Sequence, residues 1–459
     1  MKCDNKPVVV VRVNDAFCRE CFLTYFTHKF RATIGKSKLV REGEKVLLTV
    51  SGGQASCAML NLVNEGLGKS VHKRLRFSPS ILYIDEGAVL GMCLQERSNV
   101  QEKVLSSARK TGFPCFYSSL EMVMACGGCA GAEDADSHGD EQPCHYSTYH
   151  GVDDCEGLHT NVDMQRRLTS LFEATRTITA KEDLLNVLRM RLMVHIAIQE
   201  GFTKLMVGDT GTRLAVRVMS NVAQGRGSAL ALDTGFSDDR HGIAVLLRPM
   251  MDFTGKEIVM YNRFHDIRPV TIAAFTTKSS CAASITKLSQ TFVLQLQEHF
   301  PSTINTICRT AGKICEATDL GSKRPAQCCM CKISLDTSVV VPSALQSVLY
   351  SQSLATKAEE LSSPSCESTP SLKVPAETNC CENTEPDGGT CCSQRRRDES
   401  LCRMTSADLC GMLCYGCRLI IHDMDSIENL PHDMVKAVAT QSNRAKIKEE
   451  ILEFLLDDD

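Results

Sequence analysis

Residues 45–63 read KVLLTVSGGQASCAMLNLV: an apolar run, the triplet Ser51-Gly52-Gly53, then an amphipathic stretch. The pattern predicts a buried strand over 45–50, a tight loop, and a helix over 54–65 that Gly66 can close. Glycines let a backbone approach a phosphate closely, and the helix that follows offers unpaired N–H donors and partial positive charge. Ser51 and Ser56 add hydroxyls. The loop is neither Walker A, lacking Gly-Lys-Ser/Thr, nor the dinucleotide fingerprint. A plain tight turn and a phosphate site, or its relic, are the two readings; the strand–turn–helix setting favours the second.

The same rhythm continues outward. Residues 80–85 (SILYID) and 114–118 (PCFYS) read as strands flanking a polar helix over 93–111. Leu184, Leu185, Leu188, Leu192 and Ile196 lie at helical spacing within 181–201. Further strands fall at 203–207 (TKLMV) and 243–247 (IAVLL), with a helix over 252–264. Alternating strands and helices predict an α/β class with a five-stranded parallel sheet and right-handed crossovers. The expected organisation is an N-terminal segment over 1–40, this domain over 41–270 with an insert at 126–160, and a helical region over 271–342. A Ser/Thr/Pro-rich, disordered linker at 343–400 and a C-terminal segment at 401–459 complete it.

With 43% hydrophobic and 23% charged residues over 459 positions, the composition is globular. No apolar run approaches the roughly 20 residues that span a bilayer, and the opening MKCDNKPVVVVRVND makes a poor signal peptide. No membrane association and a cytoplasmic location are expected. The net charge of −4 gives no whole-chain argument for nucleic acid, so any such surface is local. Local basicity exists: Lys29, Arg31, Lys36, Lys38, Arg41 and Lys45 precede the loop, and Lys73 and Arg74 precede the second strand. Such charges suit RNA phosphates, with Phe26 and Phe30 available for stacking; an ordinary solvated face is the plainer reading.

The 25 cysteines, without a secretory signal, favour metal over disulfides. Cys328-x-x-Cys331 and Cys414-x-x-Cys417 are two knuckles able to make one tetrahedral four-thiolate site, with zinc the expected ion and iron not excluded. About 82 residues separate them, yet closure entropy grows slowly with length, so the linker can be looped out. Cys329 is an extra thiol, and Cys402 and Cys410 are alternative ligands. Cys18-x-x-Cys21, near Cys3 and His28, is a half-finger that is vestigial, recruits His28 to hold zinc, or is simply buried in an aromatic patch. Cys126-x-x-Cys129 sits in the insert, without the strand–helix setting of thioredoxin-type chemistry, and nothing is attached to Cys380-Cys381 or Cys391-Cys392.

SGGQAS after VLLTV resembles the PP-loop of ATP pyrophosphatases, S-G-G-x-D-S: Ser51, Gly52, Gly53 and Ser56 match, and Ala55 replaces the acid. FCRECF, GDTGTRLAVRVMSNVAQGRG, RPMMDFTGKEIVMYNRF and CYGCRLI, in this order, resemble the cytosolic tRNA 2-thiolation proteins, and within them the second subunit that accompanies the active enzyme. The likeness covers roughly 300 residues. It implies a heterodimer with an active PP-loop thiolase, tRNA as ligand, and 2-thiolation of wobble uridine 34 in tRNAs for Lys, Glu and Gln. Sulfur would come from a thiocarboxylated ubiquitin-like carrier protein. The chain departs from the active enzymes at three points. Ala55 cannot help hold a metal on a triphosphate. Residues 208–213 (GDTGTR) lack the adjacent acids of G-H-N-x-x-D-D, and neither Ala180–Leu188 nor Leu246-Leu247-Arg248-Pro249 carries the sulfur-transferring cysteine. The expectation is a pseudo-enzyme with no catalytic residue, and ATP binding is left open. An active adenylating thiolase and a metal-carrying module unrelated to tRNA are the rival readings.

Overall fold

The computed structural model describes residues 3–11, 15–68, 74–125, 147–149, 161–227, 230–314, 327–335, 409, 411–427, 429–431 and 434–436. All belong to a unit formed by Met1–Asp336 and Met404–Asp459. Lys73, Cys126, Cys129, Cys402, Cys410, the linker at 343–400 and most of the 126–160 insert lie outside the described residues.

A hairpin of β1 (Val9–Val11) and β2 (Asp15–Phe17) leads into α1 (Arg19–Ser37). The sheet elements are β3 (Lys45–Thr49), β4 (Ser78–Asp85), β5 (Cys115–Ser119), β6 (Ser147–Tyr149), β7 (Lys204–Met206), β8 (Ser237–Asp238) and β9 (Val245–Leu247). Between them run α2 (Gln54–Leu67), α3 (Leu94–Arg109), α4 (Val162–Glu173), α5 (Ile178–Gln199), α6 (Gly211–Ala223) and α7 (Leu230–Thr234); α8 (Gly255–Phe264), α9 (Ile285–His299), α10 (Thr303–Ala311) and α11 (Tyr415–His422) follow.

The seven strands lie in the order β6-β5-β4-β3-β7-β9-β8. The five inner ones are parallel and correspond to the five expected strands. The antiparallel edges β6 and β8 went unforeseen, as did the β1–β2 hairpin; each has three residues or fewer, too short for a periodic signal.

Successive strand residues face opposite ways, and the core divides accordingly. Leu47, Leu82, Phe116, Leu205 and Leu246 pack with α4 and α5 on one face. Their neighbours Val46, Leu48, Ile81, Tyr83, Tyr117, Met206 and Leu247 pack with α1, α2 and α8 on the other. The stripe Phe22, Phe26, Phe30, Ile34 seats α1 there. Phe26 lies 4.4 Å from both Phe253 and Tyr261, ring centre to ring centre. Phe26 and Phe30 are therefore core residues with no exposed face, which corrects the stacking role read for them from the sequence. Among the described residues no helix is long and apolar enough to cross a membrane.

The chain builds β3, β4 and β5 outward in one direction, then returns to place β7 on the other side of β3. The order reverses at β3–β7, and a crevice forms outside the carboxyl ends of these two strands.

Candidate phosphate loop, thiolate centre and basic groove

Ser51-Gly52-Gly53 leaves β3 at this reversal. Gly52 has φ +77°, and a Cβ there would meet Val104 Cγ2 at 2.6 Å, so only glycine fits. The loop is pinned from outside: Val270 N–H donates to the Gly52 carbonyl at 2.8 Å, and the Asn262 amide donates to the Gln54 carbonyl at 2.9 Å. Gly53 is the N-cap of α2 and supplies no side chain to its first-turn N–H groups. Ser51 is exposed, whereas Ser56 is buried and donates its hydroxyl to the Gly53 carbonyl at 3.1 Å. Ser56 thus braces the loop from within. Ala55 packs against the core. Across the crevice, Gly208 stands so close that a Cβ on it would meet Ser56 N at 3.0 Å.

The remaining acid here is tied up. Asp209, on the turn after β7, pairs with Arg217 at 3.0 Å and with Arg248, after β9, at 3.6 Å. Burial alone would raise its carboxyl, but Arg217, Arg213 and Arg248 together hold it well below the ordinary carboxylate range. Arg248 is itself buried, donating to the carbonyls of Leu232 and Gly235 at 3.0 and 2.9 Å. Glu86, just past β4, is bound by Arg189. The expected thiol positions hold other side chains: Leu246 and Leu247 are core. Cys57, beside the loop, is buried against the Gly52 carbonyl at 3.1 Å, and burial pushes its thiol up to about 11. Around the loop, then, the acids Asp209 and Glu86 are held in ion pairs and Cys57 is buried.

The two C-terminal knuckles meet. The sulfurs of Cys328, Cys331, Cys414 and Cys417 all lie within 4.8 Å of one another. Zinc–sulfur bonds of about 2.3 Å require tetrahedral sulfur separations of about 3.8 Å, so the four fit one thiolate-bound ion such as zinc. Lys332, at φ +60°, turns the first knuckle, and Cys328 N–H donates to the Ile333 carbonyl at 2.7 Å. The second knuckle caps α11: Cys414 is its N-cap and Cys417 lies in its first turn. Hydrogen bonds among the sulfurs lower Cys328, while Cys417 is raised. Two arginines tie the centre to the α/β core. Arg191, on α5, donates to the Cys329 carbonyl at 3.0 Å; Arg226, after α6, reaches the Gly416 carbonyl at 3.4 Å while paired with Asp183 at 2.7 Å.

At the other end, Cys3 joins Cys18 and Cys21 within the same 4.8 Å limit, and His28 is not of the group. Cys18 is the N-cap of α1 and accepts from Cys21 N–H at 3.4 Å, a bond that leads in lowering its thiol. Three sulfurs supply three of the four ligands that a tetrahedral zinc takes.

The basic segments also converge. Arg31, Lys36, Lys38, Arg41 and Arg74 line one groove of about 940 Å³, joined by Arg76, His28 and His265. Lys29 is outside it, paired with Glu257 at 3.0 Å.

Comparisons with known proteins find relatives along the whole chain. A family model described as cytoplasmic tRNA 2-thiolation protein 2 matches residues 284–419. The Danio rerio protein of that name is 37% identical over 490 aligned positions, covering 100% of this chain and 94% of the relative. The chain belongs to the cytoplasmic tRNA 2-thiolation protein 2 family. The Bos taurus and Homo sapiens members are 37% and 36% identical, again over 100% of this chain and over 92% and 93% of their own lengths. Among solved structures, the U34-tRNA thiolase NcsA from Methanococcus maripaludis, with its 4Fe-4S cluster, aligns at a TM-score of 0.50 and 15% identity. It covers 74% of this chain and 92% of that one. That likeness establishes the shared fold.

In this member of the tRNA 2-thiolation protein 2 family, the residues that sequence reasoning missed are those whose partners are distant in the chain. Arg226 acts on Gly416, 190 positions away, and Arg191 acts on Cys329, 138 away. Neither arginine carries a local sequence signal.

Proposed function

We propose that this chain is the non-catalytic subunit of a cytoplasmic heterodimer that 2-thiolates wobble uridine 34 in tRNAs for Lys, Glu and Gln. The partner, an active PP-loop thiolase, would adenylate the uridine and transfer sulfur delivered by a thiocarboxylated ubiquitin-like protein. This chain would contribute tRNA-binding surface and stability. In this reading the domain over 41–270 keeps the loop as scaffold. Residues 271–342 and 401–459 build a zinc centre across the 343–400 linker, and the three N-terminal thiols hold a second ion.

The observation that carries the reading is the carboxyl edge of the sheet. The loop has Ala55 in place of an acid, Asp209 is neutralised by arginines, and Cys57 is buried and protonated at neutral pH.

The test uses Gly53, where an added Cβ meets only Ser51 Oγ at 3.5 Å. A Gly53→Leu form therefore fills the crevice without the clash that Gly52 would cause. Expressed in cells lacking this chain, it is expected to restore wobble-uridine thiolation. The purified chain alone is expected to release no pyrophosphate from ATP in the presence of tRNA. Failure of rescue with intact folding, together with pyrophosphate release by the lone wild-type chain, would overturn the reading in favour of an active enzyme.

A further inference from the structure

The groove that gathers the basic segments lies on the opposite edge of the sheet from the loop. Its walls are the C-terminal half of α1, residues 38–42 entering the amino end of β3, and residues 74–77 entering the amino end of β4. Ser51–Gly53 leaves β3 at the carboxyl end, five residues on, which is about 17 Å at strand rise.

Its electrostatics are one-sided. Six side chains with permanent positive charge (Arg31, Lys36, Lys38, Arg41, Arg74 and Arg76) face two carboxylates, Glu42 and Glu65, in a chain whose net charge is −4. Glu42 pairs with Arg76 at 3.1 Å, and Glu65 lies 3.4 Å from His265. Arg74 is oriented by its Nε donating to the Leu67 carbonyl at 2.7 Å. Lys36, Lys38 and Arg41 are exposed, and their charged groups have no ion pair among the described residues. Lys36 and Lys38 sit at the C-terminus of α1, where the helix dipole stabilises cations.

The groove offers charge with little ring surface: besides Phe77, only His28 and His265 bring aromatic rings to its lining. Phe26 and Phe30 are fully buried, and Phe77, in the floor, is 6% exposed. Stacking platforms are what single-stranded bases are read on; here donors and charge dominate. We propose that this amino-edge groove binds the sugar-phosphate backbone of tRNA independently of base sequence, holding the RNA away from this chain's own loop so that its target base is presented in trans. The inference rests on the tRNA-subunit reading above and adds to it a place and a mode of binding. An acidic protein segment is the competing occupant. RNA is favoured because the cations come from two separate chain segments and span an open length, as a repeating polyanion requires.

The experiment measures binding of an in vitro tRNA transcript to the full chain across a salt series. Each phosphate contact contributes about 0.7–0.9 to the slope of log K against log salt. The triple change Lys36→Gln, Lys38→Gln, Arg41→Gln is expected to lower the slope by about 2–3 and weaken binding at least tenfold at low salt. Arg74→Gln with Arg76→Gln is expected to act the same way, while Lys103→Gln with Lys110→Gln, on the exposed face of α3, leaves both values unchanged. Transcripts with and without U34 are expected to bind equally. If the wild-type chain binds tRNA and the folded groove variants match it in slope and affinity, the groove proposal falls and the subunit reading stands. If those variants lose only a protein partner, the groove is a protein interface and the proposal is overturned. If the wild-type chain binds no tRNA at all, the tRNA-binding role in the subunit reading falls as well.

Discussion

Asp209 is a carboxylate whose partners are arginines from other elements. It pairs with Arg217 at 3.0 Å and with Arg248 at 3.6 Å. Replacing it with Asn strands buried positive charge, and Asp209→Asn is expected to cost about 3 kcal/mol at neutral pH. The sign with pH follows from its depressed folded value. The stabilisation is complete above the unfolded carboxylate range near pH 4 and is lost as pH falls towards the folded value. Melting curves of wild type and variant are therefore expected to differ most at pH 6–7 and to converge below about pH 4; a gap that widens on acidification would contradict the assignment. At this scale the sequence made the loop legible, because Ser51-Gly52-Gly53 follows a strand directly. It did not reveal that Ser56 turns inward or that Asp209 is paired, since those partners arrive from other elements.

Among elements, α11 depends most on something outside itself. It is a helix of eight residues, below the length at which helices persist alone, and its hold on the core comes from Ile420 and Ile421 packed towards α5 and from the thiolate centre at its start. Cys417→Ser removes one of four ligands. Metal analysis is expected to show one fewer ion per chain, and amide exchange across 415–422 is expected to quicken by at least tenfold while β3 and β4 stay protected. Unchanged exchange in a metal-depleted chain would mean that apolar packing alone holds α11. The two knuckles and their joining in one four-thiolate group were both read from the Cys-x-x-Cys spacing, and the four sulfurs lie together in the fold. Near Cys18 and Cys21 the sequence left His28 and Cys3 both available; the β1–β2 hairpin, too short to read in advance, precedes α1 in the segment that brings Cys3 to the other two sulfurs.

The whole molecule is organised by one sheet with a core on each face. Leu47 belongs to one core and Leu48 to the other, both fully buried. If the sheet couples them, Leu47→Ala and Leu48→Ala each lower the same cooperative transition by about 2–5 kcal/mol with its denaturant dependence unchanged. Two separable transitions would show that the faces unfold independently. The five parallel strands were legible because five apolar runs alternate with helices, whereas their order was not predicted. The edge strands β6 and β8 were not, since strands of two or three residues are set by their neighbours rather than by their own pattern.

Cys331 and Cys414 stand 83 positions apart yet share one centre. During synthesis at about 5–20 residues per second, the first knuckle waits roughly 4–17 s for its partner cysteines. A premature stop in that interval keeps the sheet, removes Ile420 and Ile421 from the core that packs with α4 and α5, and leaves Cys328 and Cys331 without Cys414 and Cys417. Such a product is expected to accumulate to a lower level in cells than the full chain, a difference that quantitative immunoblotting of a truncation within that interval measures.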